Sequence, residues 1–128
     1  MNETKVNQCL LALPYAECGY PFGPDVQVYK VKGKVFALLA QGKISEHYWL
    51  NLKCDPDEAA ALRDIFPSVT PGYHMDKKHW NTVILDNTVP AGEIERMIEN
   101  SYWLVVAKLP KKIRTLIELP NAGNESVK

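Results

Sequence analysis

The sequence predicts an α+β domain organised on an antiparallel sheet. Three observations carry this reading. Residues 26–53 hold three strand-like runs separated by two short turns. Asp55-Pro56-Asp57-Glu58 is a strong helix start. Ile94, Met97, Ile98, Ser101, Tyr102 and Val105 recur at helical spacing, which makes one apolar stripe.

Taken in order, residues 3–13 form a first helix, with Val6, Cys9, Leu10 and Leu13 on one face and Pro14 stopping it. Residues 15–24 read as a loop, rich in Gly and Pro. Val26 to Val31 is a strand by its β-branched and aromatic content. Lys32-Gly33 is a two-residue hairpin turn, because Gly33 supplies a positive φ. Lys34 to Ala40 returns, and a turn at Gln41-Gly42-Lys43 leads into a third strand from about Ser45 to Lys53. In that strand Tyr48, Leu50 and Leu52 alternate with His47, Trp49, Asn51 and Lys53. One face is core; the other carries a Trp among polar groups and can be open to solvent or a ligand.

The second helix starts with Asp55 as cap, Pro56 at its first position and Glu58 closing a capping box. Leu62, Ile65 and Phe66 form its buried stripe before Pro67. A strand runs from about Trp80 to Leu85, and Pro90 opens the third helix. Tyr102 and Trp103 are neighbours on that helix, so one is core and the other lies at the rim. Pro110 opens a short last helix with Ile113, Leu116 and Ile117. The length fits one domain over 1–119, and 120–128 has no periodicity and reads as a disordered tail.

The chain has 15 basic and 15 acidic residues and no net charge, which excludes a strongly basic nucleic-acid binder but not a local basic patch. Three cysteines with no CxxC pair indicate reduced thiols and a cytoplasmic protein. No window has the length of apolar sequence a membrane span needs, so no membrane partner is expected. A monomer is the favoured state.

The richest window is Tyr73 to Trp80, where two His, two Lys, a Tyr and a Trp precede a strand that can hold them. No metal is expected there. His74 and His79 are five apart, His47 lies on another element, and Cys9, Cys18 and Cys54 fall at no ligand-pair spacing. The chain lacks G-x-S-x-G and a phosphate-cradling glycine loop, and capping accounts for Asp55, Asp57 and Glu58. Neither catalytic residues nor cofactors are expected. Trp80 can either pack on the sheet with its indole N–H tied to a loop carbonyl, or serve as a stacking residue. Basic residues cluster at Lys30, Lys32 and Lys34, at Lys77, Lys78 and His79, and at Lys108, Lys111, Lys112 and Arg114.

Several short motifs run through the chain in order: Tyr20-Pro21-Phe22-Gly23, Val28-Tyr29-Lys30-Val31 with Gly33-Lys34-Val35-Phe36-Ala37, Leu52-Lys53-Cys54, Pro71-Gly72-Tyr73 with Lys78-His79-Trp80, and Ser101-Tyr102 followed by Leu109-Pro110-Lys111-Lys112. As an ordered set they resemble the MmcQ/YjbR family. The resemblance implies a CyaY-like (frataxin-like) α+β fold with helices on one sheet face. It also implies DNA binding through a double wing of β-hairpins. The positions that match are Lys30, Lys32 and Lys34 and the stretch Tyr73, His74, Lys77, Lys78, His79 and Trp80. Gly92 departs from the family's pattern, within a helix and away from these positions.

The leading expectation is a non-enzymatic binder of double-stranded DNA that contacts mainly phosphates. The alternative from a different class is a protein-partner module using the open sheet face at His47, Trp49 and Asn51. A third is a small-ligand pocket formed by Tyr73, His74, His79 and Trp80.

Overall fold

The computed structural model describes residues 1–42 and 46–118. Helix α1 (Glu3–Leu11) begins where the Asn2 side chain accepts the Lys5 N–H, and buries Val6 and Leu10. Strand β1 (Ala16–Gly19) pairs antiparallel with β2 (Val26–Val31). This corrects the expected loop over 15–24. Four residues are too few to carry a strand signal of their own, and their conformation comes from the ladder with β2.

β2 returns through Lys32 and Gly33, whose φ angles of 48° and 83° are both left-handed, as a tight hairpin turn requires. β3 (Lys34–Gln41) then pairs with β4 (Tyr48–Lys53). β4 starts at Tyr48, not near residue 45; residues 43–45, including that expected start and part of the turn, lie outside the described residues. Helix α2 (Pro56–Ile65) is capped by Asp55, which accepts the Asp57 N–H. Glu58 closes no capping box. Its carboxylate accepts from the Arg96 guanidinium instead. The stripe also shifts: Ala59 and Leu62 are buried, while Ile65 faces solvent.

β5 (Val69–Pro71), three residues long, pairs with β6 (Trp80–Ile84). Helix α3 (Ala91–Val106) follows, and its whole expected stripe from Ile94 to Val105 is buried. Tyr102 is fully buried and Trp103 lies at the rim, as the pair required. Residues 111–118 form a last helix, α4, which buries Ile117 and leaves Leu116 exposed. The expected tail at 120–128 lies outside the described residues. No helix among the described residues is long and apolar enough to cross a membrane.

The sheet order is β1-β2-β3-β4-β6-β5, antiparallel throughout. α3 lies on β3 and β4, α1 on α3 and β1, and α2 on β5 and β6. Leu50, Leu52 and Val83 from the sheet join Leu10, Leu62 and Ile98 from the helices in one core. Inside it the Tyr102 ring meets Phe36 edge-on, and its hydroxyl donates to the Pro14 carbonyl.

One irregularity sets the geometry. Tyr29 pairs with Ala37 but Lys30 pairs with Val35, so Phe36 is an extra residue in β3. On its other side the ladder to β4 stops at Ala37 and Leu52. Ser101 of α3 fills the gap: its hydroxyl accepts the Lys53 N–H at 2.8 Å and donates to the Phe36 carbonyl at 2.6 Å. Removing a hydroxyl that satisfies one buried and one partly buried backbone group costs about 2–3 kcal/mol. Ser101→Ala should therefore lower the urea midpoint by that amount with an unchanged slope. A midpoint within error of wild type would mean that the bridge contributes nothing.

Where β6 ends, Asp86 accepts from the Ser68 and Thr88 hydroxyls and the Thr88 N–H. Burial pushes its pKa up, but these bonds outweigh burial and hold it below the ordinary carboxylate range. The resulting stability is complete above the unfolded Asp value of about 3.9 and is lost as pH falls through the folded-state value. In acid titrations of unfolding free energy, wild type should lose more stability below about pH 4 than Asp86→Asn. Parallel curves for the two proteins would refute this.

Candidate nucleic-acid interface

The strand registers determine which basic residues meet. Val31 and Lys34 pair at the turn of the first hairpin, Lys53 pairs with Trp80, and Pro71 pairs with Asn81. The hairpin tip, the end of β4 and the 72–79 loop therefore all leave the sheet at one end. β3 and β6 are separated only by β4, so the two strands run roughly 10 Å apart across the sheet. The two clusters that sequence alone left separate, around Lys32 and around Lys78, share this end. Lys30, Lys32, Lys34, Lys77, Lys78 and His79 are all exposed.

The hairpin tip is held in place. Lys32 Nζ lies 4.1 Å from the centre of the Tyr15 ring, a cation–π contact between two residues with left-handed backbones. Lys53, between the clusters, and Lys108, after α3, belong to the same end. The sequence reading did not include Lys53, although its position in the strand pattern was correct.

The 72–79 loop folds back over the outer sheet face. Asn51 donates to the Tyr73 carbonyl, and the Thr82 hydroxyl accepts the Tyr73 N–H while donating to Asn51. The Tyr73 ring meets Trp49 edge-on at 5.4 Å, and the Trp49 indole N–H donates to the Gly42 carbonyl at 2.7 Å. The face expected to be open at Trp49 and Asn51 is thus closed: Trp49 is 6% exposed and Asn51 is 1% exposed. This corrects the protein-partner surface at His47, Trp49 and Asn51. Of the three only His47 is exposed, just before β4. The indole tied to a loop carbonyl, one of the two readings offered for Trp80, is found at Trp49.

The loop is closed from within by Lys77 Nζ, which donates to the Gly72 carbonyl, and from α2 by Arg63, which donates to the Lys77 carbonyl and to Asn81. Asp76 is bound to His79 Nδ1 at 2.8 Å; this contact and the Lys78 N–H hold its carboxyl below the usual range. His74 has a left-handed φ of 59°, and its ring centre lies 4.1 Å from that of Tyr73 at a tilt of 47°. His79 and Trp80 line a cleft with Lys53 and Lys108, while Tyr73 and His74 lie outside it. The expected four-residue pocket is therefore two separate arrangements. Cys54, at the cleft wall, is pushed up to about 11 by burial and by Glu58 and Asp55, and stays a thiol at neutral pH. Among the described residues no three His, Cys, Asp or Glu side chains gather as a metal site.

The YjbR family profile matches residues 11–104, which takes in the hairpin, the loop and nearly all of α3. The chain belongs to the YjbR family. The uncharacterized protein YbdF of Escherichia coli O157:H7 is 38% identical over 102 residues, 80% of this chain and 82% of YbdF. The uncharacterized protein YjbR of E. coli K12 is 30% identical over 117 residues, 91% of this chain and 98% of YjbR. A Deinococcus radiodurans crystal structure of the DUF419 domain is 34% identical, with a TM-score of 0.82 over 91% of this chain and 87% of that one. A Pseudomonas syringae crystal structure is 29% identical, with a TM-score of 0.71 over 81% and 98%. The motifs from Tyr20 to Tyr102 fall within the YjbR match, whereas Leu109-Pro110-Lys111-Lys112 follows it.

In this YjbR-family chain, Gly72 sets the path of the loop. A Cβ at Gly72 would sit 2.7 Å from Trp80 Cβ and 2.9 Å from the Trp80 carbonyl oxygen, which accepts the Gly72 N–H. Gly72→Ala should cost about 1–3 kcal/mol in thermal or urea unfolding, because neither contact can move aside cheaply. The Tyr73 amide should exchange faster with solvent. Native exchange rates in the variant would show that the close approach does not hold the loop.

Proposed function

We propose that this protein is a non-enzymatic binder of double-stranded DNA, which grips the phosphate backbone with the basic end of its sheet. The observation that carries this reading is the shared end of the first hairpin and the 72–79 loop. Lys30, Lys32 and Lys34 form one arm, and Lys77, Lys78 and His79 form the other. Two hairpin-like arms flanking a strand with Lys53 at its end suit a double wing that straddles a duplex backbone.

The chemistry favours phosphate contacts over base reading. Amide side chains read bases in the major groove, but Asn51 and Asn81 are buried and hydrogen-bonded within the protein. Tyr73 is committed to Trp49 and the sheet. The exposed groups at this end are mainly ammoniums. Such binding is sequence-tolerant and depends steeply on salt, because each neutralised phosphate releases counterions. The zero net charge is compatible with it, because many of the acids lie on α2 and α3: Asp57, Glu58 and Asp64, and Glu93, Glu95 and Glu99. Catalysis has little to work with here, since Cys54 is held as a thiol and the His79–Asp76 pair is exposed.

The test is fluorescence anisotropy with a labelled random-sequence duplex over a range of salt concentrations. Binding is expected on the order of micromolar at low salt. Lys32→Ala/Lys34→Ala and Lys77→Ala/Lys78→Ala should each flatten the salt slope by about 1–2 and weaken all sequences alike. Absence of binding at low salt, or a slope untouched by both double variants, would reject the reading.

A further inference from the structure

A cleft of about 420 Å³ opens where the start of β6, the start of α2 and the end of α3 meet. Trp80, Pro56 and Leu104 give it an apolar wall, and Lys53 and Lys108 give it a cationic one, with His79 beside them. Its size falls within the range of small-molecule sites, and the mixture of apolar lining with a few polar groups is typical of them. Lys53 and Trp80 are direct cross-strand partners. Such partners hold their Cβ atoms roughly 5 Å apart on one sheet face, so the ammonium and the indole can serve one ligand.

The charges in the cleft are not equivalent. The Asp76 carboxylate is turned onto His79 and the Lys78 N–H, and Asp55 is engaged by the Asp57 N–H. Lys53 and Lys108 take part in no ion pair among the described residues. Both carboxylates line the cleft but are turned to these partners, so two ammoniums in no ion pair beside a half-buried indole fit a ligand that joins a flat ring to an anion. A nucleobase supplies the ring, since every base has a face that stacks on an aromatic side chain. A phosphate supplies the anion.

We infer that this cleft binds a single nucleotide unit, with its base stacked on Trp80 and its phosphate held by Lys53 and Lys108. The source is either a free mononucleotide or the unpaired terminal nucleotide of a strand. The site uses none of Lys30, Lys32, Lys34, Lys77 or Lys78, so it stands or falls independently of backbone binding to duplex DNA.

The experiment follows the Trp80 indole N–H signal of the full chain by NMR. Adenosine and guanosine monophosphates are titrated in, with adenosine and ribose 5-phosphate as half-ligands. Saturable shifts at Trp80 are expected with the mononucleotides. Each half-ligand should bind about tenfold more weakly, and Lys53→Ala/Lys108→Ala should weaken the mononucleotides about tenfold while leaving adenosine unchanged. An unaltered spectrum elsewhere shows that this variant is folded. A blunt duplex and one with a 5′-phosphorylated single-nucleotide overhang complete the set. A response to the overhang but not to free nucleotide assigns the site to strand ends; the reverse assigns it to a free nucleotide. If Trp80 responds to neither at millimolar ligand, or if the double lysine variant binds mononucleotides as wild type does, the inference is overturned. A failed duplex titration alone leaves it intact.

Discussion

Ser101 contributes one hydroxyl, and the end of the sheet is built on it. The extra residue at Phe36 breaks the ladder between β3 and β4, leaving the Phe36 carbonyl and the Lys53 N–H without each other. The carbonyl is buried and the N–H partly so. The Ser101 side chain takes the N–H and gives its proton to the carbonyl, so α3 stitches the two strands together from the core side. The neighbouring Tyr102 fixes the same helix to the α1–β1 turn through Pro14 and to Phe36 through its ring. This clamp, the pairing of Lys53 with Trp80 and the helix start at Asp55-Pro56 together set where β4 ends. The position of Lys53 follows from that end.

The same constraint explains how a neutral chain carries a basic surface. Antiparallel order sends the turn after β2, the exit from β4 and the approach to β6 to one end. Lysines at those three places are thereby collected, although they are up to 48 residues apart in sequence, from Lys30 to Lys78. Several of the balancing acids sit on α2 and α3, where Glu58 and Glu93 pair with Arg96. The gathering of these lysines is a property of topology and not of composition.

The strands from Val26 to Lys53, the cap at Asp55, the start of α3 and its buried stripe were legible because each rests on local chemistry: alternation, a capping carboxylate, a 3.6-residue period. β1 and β5 were not. Four and three residues long, they owe their conformation to a neighbouring strand and are too short for a pattern to stand out. The site was legible in part. Clustered lysines and the Tyr73 to Trp80 window stand out as residue types, but their convergence depends on strand order, which no local pattern encodes. The second face of β4 was misread for a related reason. Alternation showed that Trp49 and Asn51 leave the helical core, yet it could not show that the 72–79 loop returns to cover them. Asn51 spends its amide on that loop, so a polar residue on an apparently open face was structural.

This covering loop decides what sort of surface the basic end can be. A loop of eight residues carrying several charges would ordinarily wander, and any ligand would bear the entropy of fixing it. Here Gly72 is pressed against Trp80, Tyr73 is bonded to two strands, Lys77 closes onto Gly72, and Arg63 reaches across from α2. The left-handed backbone at His74 is a cost that only such over-determination sustains. Lys77 contributes to this frame with its own ammonium, so its charge is partly committed inward, whereas Lys78 is exposed and its side chain has no such tie. The difference ranks the two lysines. Lys78 should act chiefly as a contact and Lys77 chiefly as a brace, and a rigid brace is what allows a few surface charges to meet phosphates at fixed spacing instead of merely attracting them.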